Sequence, residues 1–187
     1  HPARSGWTRE SWARAINASG ETIGFLSESE DANPGNVTRG WFRTTGNGKI
    51  SSANLGTEEE IYGVNGINDS GQVAFSKSVG NQVHAFRGST DLGTLGGDGA
   101  FATAINASGQ VVGFSNRPGY TQLPGDNSHA FRTSSTGVIS LSSDLGTLGG
   151  TASYAYAVNA SGVVVGTSRA EDDNIDRAFI VNATGTM

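Results

Sequence analysis

The sequence predicts an all-β, propeller-like fold of four repeats, each of about four antiparallel strands, and three observations lead there. The first is composition. Of 187 residues 28 are glycine and only 4 proline, about twice the usual ~7% glycine, with no every-third-residue period, so collagen is excluded. Charged residues (16%) and hydrophobic residues (35%) are both scarce against the usual ~25% and ~45–50%. Ser, Thr, Asn and Gly fill the gap, which suits a turn-rich β surface. The second observation is internal repetition, which must be sought first because missing it misreads the whole fold. The third is that no stretch sustains apolar spacing of three and four residues, so essentially no helix is expected.

The repeat has three markers. Ala13-Arg14-Ala15-Ile16-Asn17-Ala18-Ser19-Gly20 returns as Val64-Asn65-Gly66-Ile67-Asn68-Asp69-Ser70-Gly71. It returns again as Ala102-Thr103-Ala104-Ile105-Asn106-Ala107-Ser108-Gly109, and as Ala155-Tyr156-Ala157-Val158-Asn159-Ala160-Ser161-Gly162. A second marker ends in Phe: Gly40-Trp41-Phe42, His84-Ala85-Phe86, His129-Ala130-Phe131 and Arg177-Ala178-Phe179. The third, Asp91-Leu92-Gly93-Thr94-Leu95-Gly96-Gly97, recurs at Asp144-Leu145-Gly146-Thr147-Leu148-Gly149-Gly150, with a worn copy from Asn54.

Each element follows in order. Residues 154–158 alternate at the strand period of two, placing Ala155 and Ala157 on one face and Tyr154, Tyr156 and Val158 on the other. The small face recurs in every copy, which predicts a crowded inner strand. Asn-Ala-Ser-Gly reads as a hairpin turn, with Asn bonding its own backbone and Gly taking the positive φ. Val163-Val164-Val165-Gly166 is the returning strand. The Phe marker lies on a third strand, and a fourth is expected after a Gly turn, as at Gly137-Val138-Ile139-Ser140-Leu141.

Four-stranded units at a period of about 40–50 residues match propeller blades. The chain is read as one repeat domain, residues 1–187, with copies at 8–56, 57–97, 98–150 and 151–187. Residues 1–7 hold the register of a decayed third marker, so they are available to complete the last blade. Two arrangements stay open: a closed four-bladed ring, or part of a larger propeller.

These markers resemble the HAF repeat family of extracellular bacterial proteins, named for its His-Ala-Phe triplet. The likeness covers nearly the whole chain and is strongest in copies three and four. The first copy departs with Gly-Trp-Phe, the last with Arg-Ala-Phe, and the second with Val73-Ala74-Phe75 in place of Val-Val-Gly. The resemblance implies a secreted or cell-surface location and a repetitive β-fold. It brings no catalytic residues.

Charge and residue types narrow the function. A net charge of −5 without a basic stripe argues against nucleic acid. No apolar run of roughly 18 residues offers a membrane span. The absence of cysteine excludes disulfides, thiolate nucleophiles and Cys-ligated zinc. Asn17, Asn68, Asn106 and Asn159 read as structural turn residues, and Asp91 and Asp144 as acceptors for backbone N–H groups at repeat corners. His84 and His129 belong to a repeated marker, which favours architecture over metal ligation.

The remaining candidates lie where the copies differ. The connection between second and third strands varies most in length, and insertions at one point of a repeat gather on one face, often the binding face. Tyr120 and Asp126 in the third insert, Glu30 and Asp31 in the first, and Trp41 beside it are the candidate ligand contacts. Glu171, Asp172, Asp173 and Asp176 offer a weak Ca²⁺ set, lacking the Gly and distant Glu of an EF-hand loop, and a solvated acidic loop is preferred. No cofactor other than that calcium is indicated.

Three function classes follow. The favoured one is a secreted, non-catalytic module that binds a glycan or a cell-surface protein through variable loops. The second is a hydrolase or lyase acting on extracellular polymer with paired carboxylates. The third is a structural subunit of a surface layer or filament, with oligomers joined by strand exchange at the termini.

Overall fold

In a computed structural model that describes residues 7–30, 33–44, 50–51, 61–119, 127–171 and 175–187, the chain is all-β. Among these residues fourteen strands form four antiparallel sheets. The first holds β1 (Trp7–Ile16), β2 (Thr22–Glu30), β3 (Asn33–Thr44) and β4 (Ile50–Ser51). The second holds β5 (Ile61–Ile67), β6 (Val73–Val79), β7 (Gln82–Arg87) and β8 (Thr90–Gly93). The third is β9 (Ala100–Ile105), β10 (Val111–Asn116) and β11 (Ser128–Arg132); the fourth is β12 (Gly149–Val158), β13 (Val164–Ala170) and β14 (Asp176–Val181). Strands run in chain order within each sheet, as hairpin-linked meanders must.

The hairpin at each Asn-x-Ser-Gly is built the same way. The glycine N–H donates to the asparagine carbonyl at 2.9–3.0 Å in all four copies. Gly20, Gly71, Gly109 and Gly162 take φ between 74° and 86°, a region that costs other residues strain. Asn Oδ1 accepts the N–H four residues on: Glu21 at 2.8 Å, Gln72, Gln110 and Val163 at 2.9 Å.

Two sequence expectations need correcting. The alternation along the first strand is broken by a β-bulge at the same place in every copy: Arg14, Asn65, Thr103 and Tyr156 each stand unpaired. Ala155 is buried and Ala157 exposed, so they do not share a face. In the second and third copies the bulge re-aims one side chain toward the following copy. Asn65 Nδ2 donates to Ala102 O, and Thr103 Oγ1 to Ala155 O, both at 2.8 Å.

The fourth strand is also not where it was expected in the third copy. Residues 137–140 are irregular and lead into a single 3₁₀ turn, Leu141–Ser143. The outer edge is taken by the Asp-Leu-Gly marker instead. In the second copy that marker lies in β8, and in the third it is reduced to one bridge, Phe131 to Asp144. The longer segment before Asp144 loops outward, and Ile139 N–H bonds Leu92 O of the preceding copy at 2.8 Å. Met187 N–H repeats that bond to Leu145 O at 2.8 Å. Among the described residues the third and fourth sheets have three strands each.

The apolar core lies between sheets. Ile23 and Trp41 of the first sheet pack on Ile61, Val64 and Phe75 of the second. Ala74 and Ala85 of the second meet Ala102, Val111 and Phe131 of the third. Val112 and Ala130 of the third meet Ala155, Val164 and Phe179 of the fourth. Small residues are needed here because backbones nearly touch: a Cβ on Gly66 would lie 3.3 Å from Ala104 Cα. The departure at Phe75 is compensated by its ring stacking on Phe86 at 5.1 Å.

Polar bonds run along the same joints. Asn17 Nδ2 donates to Asn68 O at 3.1 Å, Asn68 Nδ2 to Asn106 O at 3.1 Å, and Asn106 Nδ2 to Asn159 O at 2.9 Å. Arg87 reaches the Gly109, Ser134 and Gly137 carbonyls, and Arg132 reaches those of Gly162, Asn182 and Gly185.

Removing one rung should be costly only inside the array. Asn106→Ala deletes the bond to Asn159 and strands the Gln110 N–H, at about 2–3 kcal/mol. Asn159→Ala, whose Nδ2 meets no partner among the described residues, should cost about 1 kcal/mol. Urea unfolding of the two variants measures the difference.

Candidate functional site

A cavity of about 450 Å³ opens where the outward loop of the third copy leans over the turns of the fourth. Gln110, Arg132, Ser134, Ser140, Ser142 and Ser143 are among its lining residues, which include no carboxylate and no imidazole. Most of these groups hold the walls in place. Ser143 Oγ accepts from Ser140 N–H at 3.2 Å, and Ser134 Oγ accepts from Gly137 N–H at 2.8 Å. The Arg132 guanidinium is spent on three carbonyls, and burial lowers its pKa from the ordinary value. Ser140 and Ser142 are exposed, with their hydroxyls 2.9 Å apart. Such a pair can accept and donate at once. The lining offers hydrogen bonds to a neutral polar ligand and no group for acid–base catalysis.

Sequence reasoning did not point to this cleft, because residues 137–141 were read as a strand. A signal was present: five of the ten residues from 134 to 143 are serine, too many hydroxyls for a packed edge strand.

The insert face lies at the opposite ends of the strands. The third insert is seated rigidly at its base. Ser115, Asn116 and Ser128 are buried, and Ser128 Oγ donates to Asn116 Oδ1 at 2.8 Å. Leu95 N–H donates to Ser115 Oγ at 2.8 Å and Gly97 N–H to Asn116 O at 3.1 Å, so the third marker clamps the insert's stem. Gly97 must lack a side chain, since a Cβ would stand 2.6 Å from Arg117 O. Ser168 receives Leu148 N–H at 2.9 Å in the same way in the fourth copy.

The candidates from sequence are spread out. Tyr120, Asp126, Asp31, Asp172 and Asp173 lie outside the described residues, as do residues 1–6 and the worn marker at 54–60. Glu30 ends β2. Trp41 is only 3% exposed and sits in the first inter-sheet core, its indole N–H without an acceptor. Glu171 is exposed, and the Asp176 carboxylate lies 3.7 Å from Arg169 Nε. Among the described residues no group of three or more His, Asp or Glu is placed to hold a metal ion.

The histidines and repeated aspartates pair with each other. His84 Nδ1 donates to the Asp91 carboxylate at 2.9 Å, and His129 Nδ1 to Asp144 at 2.9 Å. Asp91 Oδ1 also accepts Gly93 N–H and Asp144 Oδ1 accepts Gly146 N–H, both at 2.8 Å. The second and third markers are thereby tied together in the second and third copies. Burial alone would push the Asp144 carboxyl up. The bond from His129, the Gly146 amide and the charges of His129 and Arg117 outweigh it and hold the carboxyl below its usual range.

No family model matches the chain, and the searches of curated proteins and solved structures returned no match.

The Asp144 environment sets an acid dependence. Its folded pKa is below the unfolded value of about 3.9, so the stabilisation is complete above that pH and is lost as pH falls through the folded value. Between neutral pH and pH ~3, Asp144→Asn should therefore lose less stability than the wild type. Urea midpoints across that range check it.

Proposed function

We propose that this chain is a secreted, non-catalytic binding module of propeller-like architecture whose ligand is a glycan held by copy-specific loops. The observation that carries the reading is the serine-lined cleft beside Arg132, rich in hydroxyls and without a carboxylate or imidazole in its lining. Hydroxyl and amide groups match the alternating donors and acceptors of a sugar. The loop that forms it, residues 134–143, has no counterpart in the second copy, where only Gly88 and Ser89 separate β7 from β8. The ionisable residues of the repeat are spent on its framework: both histidines on aspartates, both aspartates on turn amides. The extracellular location and the bacterial HAF-type origin rest on the shared markers.

A glycan array followed by calorimetry on the best-bound oligosaccharide tests the proposal. Ser140→Ala/Ser142→Ala should weaken binding about tenfold, since each lost hydrogen bond is worth about 0.5–1.5 kcal/mol. Deleting residues 121–125, which belong to the third insert and not to the cleft loop, should leave binding at the cleft intact. A profile with no retained glycan, or a bound oligosaccharide that is cleaved, would overturn the reading.

A further inference from the structure

The two ends of the array are complementary. In each joint the forward face of one sheet offers the next a core aliphatic on the second strand, a core residue in the Phe marker and an asparagine Nδ2, and the second and third sheets add a bulged side chain. Ile23, Ala74 and Val112 fill the aliphatic position and are fully buried, whereas their counterpart Val165 is 42% exposed. Trp41, Ala85 and Ala130 are buried in the marker, and Ala178 is exposed. Asn159 is exposed, and the bulged Tyr156 is turned back on Thr167 Oγ1 at 2.9 Å.

The rear face shows the mirror pattern. Val64, Ala102 and Ala155 are fully buried under the preceding sheet, whereas Ala13 is exposed. Trp12 and Ile16, on the same strand, are 49% and 67% exposed. The Asn68, Asn106 and Asn159 carbonyls each accept both a glycine N–H and the preceding asparagine amide; the Asn17 carbonyl accepts only Gly20 N–H among the described residues. The first sheet thus presents the receptor that the fourth sheet lacks.

We infer that the forward face of the fourth sheet docks on the rear face of the first sheet in a second copy of this chain. The contact continues the internal joint: Val165 and Ala178 cover Ala13, and Asn159 Nδ2 donates to Asn17 O. It is heterologous, using two different patches, so copies add head to tail. One component is missing. Arg43, Arg87 and Arg132 are followed at the same position by Ile180, 72% exposed, which offers apolar area in place of an arginine's bonds to turn carbonyls. The joint between copies is therefore weaker than those within a copy and depends on concentration. Strand exchange is not required, and the glycan reading is independent of it.

Sedimentation velocity from micromolar to submillimolar concentration tests this, with Ile180→Glu and Ala13→Glu altering exposed positions at opposite ends. The wild type should grow with concentration, and each variant should stay monomeric. An equimolar mixture of the two should stop at dimers, because only one pair of intact faces remains. A wild type that is monomeric throughout would overturn the inference, and more so if either variant expands it, since the faces would then meet within one chain. Growth abolished by Ile180→Glu but not by Ala13→Glu would also overturn it, in favour of a symmetric contact.

Discussion

One side chain organises the molecule. In the first three copies the asparagine that opens the first hairpin uses its oxygen to close its own turn and its amide nitrogen to reach the next copy's turn. Both ends of a single short side chain are therefore committed, one to local structure and one to the neighbour. Aspartate would keep the oxygen and lose the donor; serine would be too short to span both. Because the side chain is buried at three of the four positions, its bonds are shielded from water and an unmade one is expensive. Register between copies follows from it. Once the amide of Asn68 meets the carbonyl of Asn106, the bulged Asn65 stands opposite Ala102 and the arginine opposite the next pair of turns.

Stability is distributed accordingly. Among the described residues each apolar cluster combines two neighbouring sheets. A sheet must bury its apolar face against a second layer, so copies gain stability chiefly by stacking, the behaviour of nearest-neighbour repeat arrays. The same logic explains the bulges. A regular strand would send residue 65 or 103 to the wrong side, and the extra residue turns Asn65 toward Ala102 O and Thr103 toward Ala155 O.

Much of this was legible in the residues. Four recurrences of Asn-x-Ser-Gly with alternating small residues were enough for the sheets, the turns and the crowded inner strand. What failed did so for physical reasons. A bulge leaves no mark in a period-two pattern, so Tyr156 and Ala157 were assigned faces by simple alternation. The Asp-Leu-Gly marker was read as a corner, because its leucines carry no strand alternation; in the fold it takes the sheet edge, displacing the 137–141 segment. Trp41 looked like a surface aromatic beside an acidic insert, yet it fills the position that alanine holds in the three other copies and lies in the inter-sheet core. The serine cleft depends on how that displaced segment leans across a joint, which no local pattern encodes.

The arginines and asparagines share a habit with a longer reach. The cross-joint bonds of Asn17, Asn65, Asn68, Asn106, Arg87 and Arg132 all end on peptide carbonyls, and a carbonyl is present whatever amino acid carries it. Mutation of the receiving turn cannot easily abolish the grip, provided the backbone keeps its course. Duplicated units in such a lineage are free to diverge in wording while still fitting one another, and a gene can gain or shed whole units without first evolving a new lock for each key.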